Sequence, residues 1–233
     1  MYKTLCLISL CFFPCMVANK SNSITLTTTN CLTIKGPVTE ESTTDFIYSL
    51  NKMKNKNNIY VYLDTPGGSV EHGNKIVSEI QKYKLNCIAD RAYSMGFVIL
   101  QACKQRLITP YGRIMQHQIS YGVANEKAKV ESYVSFVNQL EDEMTEMQSS
   151  RIGISGEEFS RRTYNDWWMV GKNAILANCA DRLVDVKCSV KLTKENYTRN
   201  DGWNKITYSK CPLVSGHIAK RHIEGINSAF IFT

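Results

Sequence analysis

Four short segments of this 233-residue chain hold residue types that could share one piece of chemistry: Thr65-Pro66-Gly67-Gly68-Ser69, Tyr93-Ser94-Met95-Gly96, Met115-Gln116-His117-Gln118 and Thr163-Tyr164-Asn165-Asp166. Acyl transfer at a peptide carbonyl requires a nucleophile, a base to accept its proton, a group that orients the base, and donors for the oxyanion. Ser94, His117, Asp166 and the backbone around Gly68 are of the right types for those roles. Each segment alone has a plainer reading. Pro-Gly-Gly after an extended run is ordinarily a turn. A Ser before Met-Gly, or an Asp before Trp-Trp, is ordinarily a helix cap, and a single His is ordinarily a satisfied structural residue. Their order along the chain and the elements around them favour the chemical reading.

Those elements can be read from pattern. Asn58–Asp64 is β-branched and aromatic with polar flanks, which predicts a buried strand running into the Pro66-Gly67-Gly68 turn. Val70, Ile76, Val77, Ile80 and Tyr83 recur at helical spacing after it, with Ser69 as the cap. Glycines at 67 and 68 let bare backbone approach a substrate with amides free to donate. The logic repeats at Ser94: Leu85–Ala89 reads as a strand and Met95–Cys103 as an apolar helix, so Ser94 falls at the junction. A helix N-terminus carries unpaired N–H groups and positive partial charge, which aims the Met95 amide at a developing oxyanion. Gly96 keeps the first turn open to substrate backbone. Leu107–Pro110 and Arg113–Gln118 read as two extended pieces joined by a turn at Pro110-Tyr111-Gly112, returning His117 toward Ser94. Of the other histidines, His72 reads as a solvent-facing helix residue, and His217 and His222 lie in the tail.

From Leu32 to Val186 these segments resemble the proteolytic subunit of the Clp protease family. The resemblance implies an α/β fold, a ClpP/crotonase-like spiral of repeated strand-strand-helix units with a projecting handle helix. It makes Ser94 the nucleophile, His117 the general base, Asp166 the orienting carboxylate, and the amides of Gly68 and Met95 the oxyanion hole. Gly67, Gly96, Tyr93 and Gln118 would then border the substrate. The Gly- and Pro-free stretch from 125 to 150, with Val130, Val134, Val137, Leu140, Met144 and Met147 on one stripe, suits core packing. By the resemblance it would instead be the handle, packing on another subunit in a homo-oligomer. Asn173–Asp185 resembles the family's closing alanine-rich helix and leucine-valine-aspartate strand. The chain departs from the family pattern at Asp90 and Tyr93, where a Gly and a small residue are usual, at Ile119 in place of a Pro, and at Trp167-Trp168. Tyr93 would narrow or block the pocket.

With 43% hydrophobic residues the chain can bury one sizeable core, and no repeat or low-complexity run divides it. Residues 1–18 have a short basic start and an apolar stretch too short for a comfortable membrane span, which predicts a signal peptide and a secreted or secretory-lumen protein. An uncleaved anchor or a buried strand is the alternative. Residues 19–190 would form the peptidase-like domain and 191–233 a C-terminal extension, either an added strand pair or loose. Of nine cysteines, Cys6, Cys11 and Cys15 lie in the leader; Cys31, Cys87, Cys103, Cys179, Cys188 and Cys211 remain, an even number that suits an oxidising compartment. A Cys188–Cys211 staple is one of many possible pairings. Asn19-Lys-Ser21 and Asn196-Tyr-Thr198 are glycosylation-acceptor triplets, a pattern frequent by chance. The net charge of +7 is spread along the chain, so a solvated surface is expected and no nucleic acid partner. No cofactor or metal is expected.

The resulting expectation is a serine endopeptidase of short or unfolded polypeptides, independent of ATP, since a chain in the secretory route would meet no Clp-type ATPase. Such an ATPase is expected only for a cytosolic chain. The alternatives are a signal-peptide-peptidase-like enzyme with a Lys base, an acyl-CoA enzyme of the crotonase group, and an inactive scaffold.

Overall fold

The structure, a computed structural model, describes residues 23–223. The expected signal peptide, the Asn19 triplet and the three leader cysteines lie outside them. In chain order the elements are β1 (Ser23–Leu26), β2 (Cys31–Lys35), α1 (Glu40–Lys52), β3 (Tyr60–Thr65), α2 (Val70–Tyr83), β4 (Asn86–Tyr93), α3 (Met95–Gln101), β5 (Arg106–Gln116), α4 (Lys127–Ile152), α5 (Gly156–Thr163), β6 (Trp167–Val170), α6 (Lys172–Leu176), β7 (Arg182–Leu183), β8 (Asp185–Cys188), α7 (Val190–Lys194), β9 (Asn196–Asn200), β10 (Asn204–Ser209) and β11 (His217–His222).

This mixed α/β architecture is built on a sheet ordered β2-β3-β4-β5-β6, with β7 added beside β5. The four strands β2 to β5 run parallel, and β6 closes the edge antiparallel to β5. Within it the recurring unit is one strand followed by one helix, where a pair of strands before each helix was expected. Both sheet faces are covered, so the central strands are apolar on both sides. Leu63, Cys87, Ala89 and Ile114 pack with Ile76, Ile80, Phe97 and Ile99 of the helices. Tyr62, Ile88 and Leu107 pack on the other face with Ile24, Leu26, Val184 and Leu192, under the parallel two-stranded sheet β1-β8.

Local signals explain the helix boundaries. Thr39 and Ser42 form a reciprocal capping box at α1. Ser69 accepts from the His72 amide at α2, which ends in Lys84 in the left-handed region, and Ser155 accepts from the Glu158 amide at α5.

Three expectations need correction. The turn at Pro110-Tyr111-Gly112 is absent: β5 is one continuous strand of eleven residues. The turn residues instead sit where the ladder to β4 is interrupted, since Ala89 pairs Ile108 but Arg91 pairs Arg113. A proline inside a strand is tolerated at such an irregularity because no ladder bond is required of it there. The helix expected from Asn173 is a five-residue segment, α6. The tail is a three-stranded antiparallel sheet ordered β11-β10-β9, where a strand pair or a loose extension was expected.

Among the described residues two disulfides are formed, Cys87–Cys103 and Cys188–Cys211, with Cα–Cα distances of 5.8 and 5.9 Å, and Cys31 and Cys179 have no disulfide partner there. The second bridge is the staple raised from the sequence, joining the end of β8 to the segment after β10. No helix among the described residues is long and apolar enough to cross a membrane.

Candidate active site

Ser94 lies between the last residue of β4 and the first of α3, with φ 53° and ψ −120°. A residue with a Cβ pays strain energy there and keeps the conformation only where its surroundings enforce it. They do so in three ways. The Ser94 amide donates to the Met115 carbonyl at 2.8 Å, its own carbonyl accepts from the Phe97 amide at 2.9 Å, and Gly67 packs directly against it. A Cβ on Gly67, at φ 91°, would lie 2.6 Å from the Tyr93 oxygen, 2.7 Å from the Ser94 Cβ and 2.9 Å from the Met95 nitrogen. The glycine is therefore required for the two turns to meet.

Gly68 is held by a bridge to Val38, in which the Val38 amide donates to the Gly67 carbonyl at 2.8 Å and the Ser69 amide donates to the Val38 carbonyl at 2.9 Å. Both bonds use the neighbours of Gly68, so its own N–H is directed away from that bridge. Met95 is the first residue of α3, where an amide has no intrahelical acceptor. Two amides suited to an oxyanion thus flank the Gly67–Ser94 contact. Gly96 is buried, and a Cβ there would meet the Thr65 methyl at 2.6 Å, so its role in packing α3 on β3 is direct.

Sheet register supplies the remaining partners. Tyr93 pairs Met115, Met115 pairs Trp168, and Gln116 pairs Trp167 antiparallel. His117 follows and Asp166 precedes that last pair in the chain, so both segments come to the sheet end where Ser94 turns. Asp166 has φ 53°, a second left-handed non-glycine residue at this end. His117 is half-buried and Asp166 and Gln118 are exposed. Among the described residues no hydrogen bond or ion pair links the Ser94 hydroxyl, the His117 ring and the Asp166 carboxylate, so the single chain gathers the three segments without closing a side-chain relay.

Sequence reasoning missed the polar anchor behind His117. Buried Gln116 donates from Nε2 to Gln148 Oε1 at 2.6 Å, Gln148 in turn donates to the Met144 carbonyl at 2.9 Å, and the His117 amide donates to Gln116 Oε1 at 3.3 Å. His117 lines a small cavity of about 30 Å³ with Gln116, Glu141, Met144, Gln148 and Phe159. The hint in the sequence was a Gln within the apolar stripe of α4, indistinguishable there from a solvent residue. Two departures from the family pattern also turn out to be one feature. Tyr93 and Trp168 meet edge to face with centroids 5.0 Å apart, so the large residue before Ser94 is seated against the tryptophan of β6. Among the described residues no group of three or more His, Cys, Asp or Glu side chains is gathered as a metal site needs.

Comparison with known proteins bears on these segments together. A similar protein, the ATP-dependent Clp protease proteolytic subunit of Borreliella afzelii (strain PKo), is 26% identical over 131 residues, which are 54% of this chain and 66% of that protein. The chain thus spans about two thirds of the length of that relative. The sequence model described as Clp protease matches residues 18–187, a stretch that holds all four segments and every strand of the main sheet, and the chain belongs to the Clp protease family.

Proposed function

We propose that the chain is a serine endopeptidase that hydrolyses peptide bonds of short or unfolded polypeptides through an acyl-enzyme on Ser94. The observation that carries this is the Ser94 turn itself: a strained serine at a strand-to-helix junction, packed on Gly67, with the Gly68 and Met95 amides beside it making no backbone hydrogen bond among the described residues. The His117 imidazole takes the Ser94 proton as the hydroxyl adds to the carbonyl, and Asp166 orients the imidazole and stabilises its charged form. The Gly68 and Met95 amides receive the oxyanion. The imidazolium then protonates the leaving amine, and water deacylates the enzyme by the same steps. Gly67 and Gly96, expected from the sequence to border the substrate, are buried against the Ser94 turn and against Thr65 and so hold the site's backbone in place, while Tyr93 and Gln118 border the substrate.

The exposed first half of α4 is read as a handle for self-association. Closing the relay belongs to the assembled form in this reading. Its support is that the second half of α4 lines the cavity behind His117, so a contact on the helix reaches the base. Entry into the secretory route and independence of ATP belong to the same proposal, supported by the apolar N-terminus and by two disulfides, which persist in oxidising compartments. Peptide hydrolysis that begins only when a Clp-type ATPase is added would remove that part.

The test is labelling with a fluorophosphonate. Wild type should acquire one adduct on Ser94, Ser94→Ala none, and His117→Ala should lose at least about 10³-fold in rate. An adduct on Ser94→Ala, or none on assembled wild type, refutes the assignment.

A further inference from the structure

We infer that the Cys87–Cys103 disulfide is a positioning device for the nucleophile, not only a stabiliser of the fold. The inference rests on Ser94 being that nucleophile. Cys87 stands in β4, the strand that enters the Ser94 turn, and Cys103 follows the end of α3, the helix that leaves it. The sixteen-residue separation therefore encloses the turn and both of its limbs in one covalent ring.

The turn needs such a constraint. The φ and ψ of Ser94 lie where a side-chain-bearing residue stays only if its surroundings over-determine it. α3 has seven residues, too few to hold a helix by its own hydrogen bonds. At the far end of both limbs the backbone is paired, with the Lys104 amide donating to Leu85 at 2.8 Å and the Cys87 amide donating to Gln105 at 2.9 Å. The disulfide locks that end, and the Ser94 amide bond to Met115 holds the other. With both ends fixed, α3 cannot slide or rotate, and the Ser94 Cβ and Met95 amide keep their places against Gly67. Both half-cystines are buried, 0% and 2% exposed, so the lock is part of the core. The other bridge, Cys188–Cys211, ties β8 to the tail beyond the family-matched residues and serves as an internal control.

The experiment compares wild type with Cys87→Ala/Cys103→Ala and Cys188→Ala/Cys211→Ala. Alkylation of the denatured, unreduced wild type followed by peptide mapping should recover a Cys87–Cys103 cross-linked pair. Removing that pair should lower kcat and the fluorophosphonate rate at Ser94 by roughly 10- to 100-fold, with KM within about twofold, because the reacting atom is misplaced while substrate still binds. Both variants should melt lower than wild type, but the Cys188/Cys211 variant should label at the wild-type rate. If the Cys87/Cys103 variant does not fold, wild type titrated with a phosphine reductant gives the same comparison: the labelling rate must fall with the fraction of that bridge opened. A wild-type rate without the bridge, equal losses in both variants, or free Cys87 and Cys103 thiols in protein that labels would each overturn the inference. Wild type that carries the bridge but never labels instead removes the nucleophile assignment on which the inference stands.

Discussion

At the scale of single residues, the site depends on contacts too short to admit an extra atom. Gly67→Ala puts a methyl into the space occupied by the Tyr93 carbonyl and the Ser94 Cβ, at a φ that alanine disfavours. Because the displaced atoms are backbone and the nucleophile, the expected result is a loss of labelling at Ser94 of about 100-fold or more, whereas fluorescence-monitored unfolding should still show a cooperative transition. Normal labelling would show that the two turns are free to move apart. The Cys179 thiol gives a prediction in pH. Burial raises it from 9.0 to about 12, with Arg106 and Arg162 pulling the other way. Below pH 9 both folded and unfolded thiols keep their protons and the contribution is fully present. Between about 9 and 12 only the unfolded chain releases its proton, so stability falls as pH rises, by about 1.4 kcal/mol per pH unit at most. Urea midpoints at about pH 8 and about pH 10.5 should therefore diverge less in Cys179→Val than in wild type; equal divergence would remove burial as the cause.

At the scale of elements, the parts legible in the sequence were those fixed by neighbours close along the chain. The Ser69 cap, the apolar run of α3 and the strand before Gly67 are set by local pattern, and the segments around Gly68 and Ser94 lie at the ends of those elements. What could not be read was set by pairing across the fold. β5 is continuous because β4 pairs Arg113–Met115 on one side and β6 pairs Arg113–Gln116 on the other, and no local rule overrides the turn signal of Pro110-Tyr-Gly112 without that information. Arg106 is a similar case. It is buried at 2% exposure at the start of β5, donates to Asp181 from Nε at 3.0 Å and from Nη2 at 2.6 Å, and also reaches Gln101 of α3 and the Asn178 carbonyl. Nothing in a separation of 75 residues announces that pair. Asp181→Asn leaves a buried guanidinium short of its counter-charge, and should lower unfolding free energy by about 3 kcal/mol, the low end for a broken buried pair because Gln101 and Asn178 remain. Denaturant titration measures it, and a change under about 1 kcal/mol would place the pair with surface ion pairs.

At the scale of the whole molecule, the 26 residues of α4 divide into two halves with different surroundings. Met144 and Gln148 are buried in the lining of the cavity that His117 shares, and Ile152 is buried at the helix end, whereas Tyr133 and Phe136 are 41% and 57% exposed, with centroids 6.3 Å apart and Tyr121 against Tyr133 at 6.2 Å. Three rings clustered on solvent bury apolar area only if another surface covers them. A second copy is the occupant the family reading supplies, and the cavity that His117 shares with Glu141, Met144 and Gln148 gives assembly a route to the chemistry. Tyr133→Ser/Phe136→Ser should therefore reduce the sedimenting mass while leaving the melting temperature close to wild type, since exposed substitutions change stability by about 0.5 kcal/mol or less. Labelling at Ser94 should fall together with the mass, and wild type diluted below its dissociation constant should lose activity in the same proportion. A variant with unchanged mass would move the contact elsewhere on the surface. A variant that dissociates yet labels normally would show that Ser94, His117 and Asp166 close their relay within one chain.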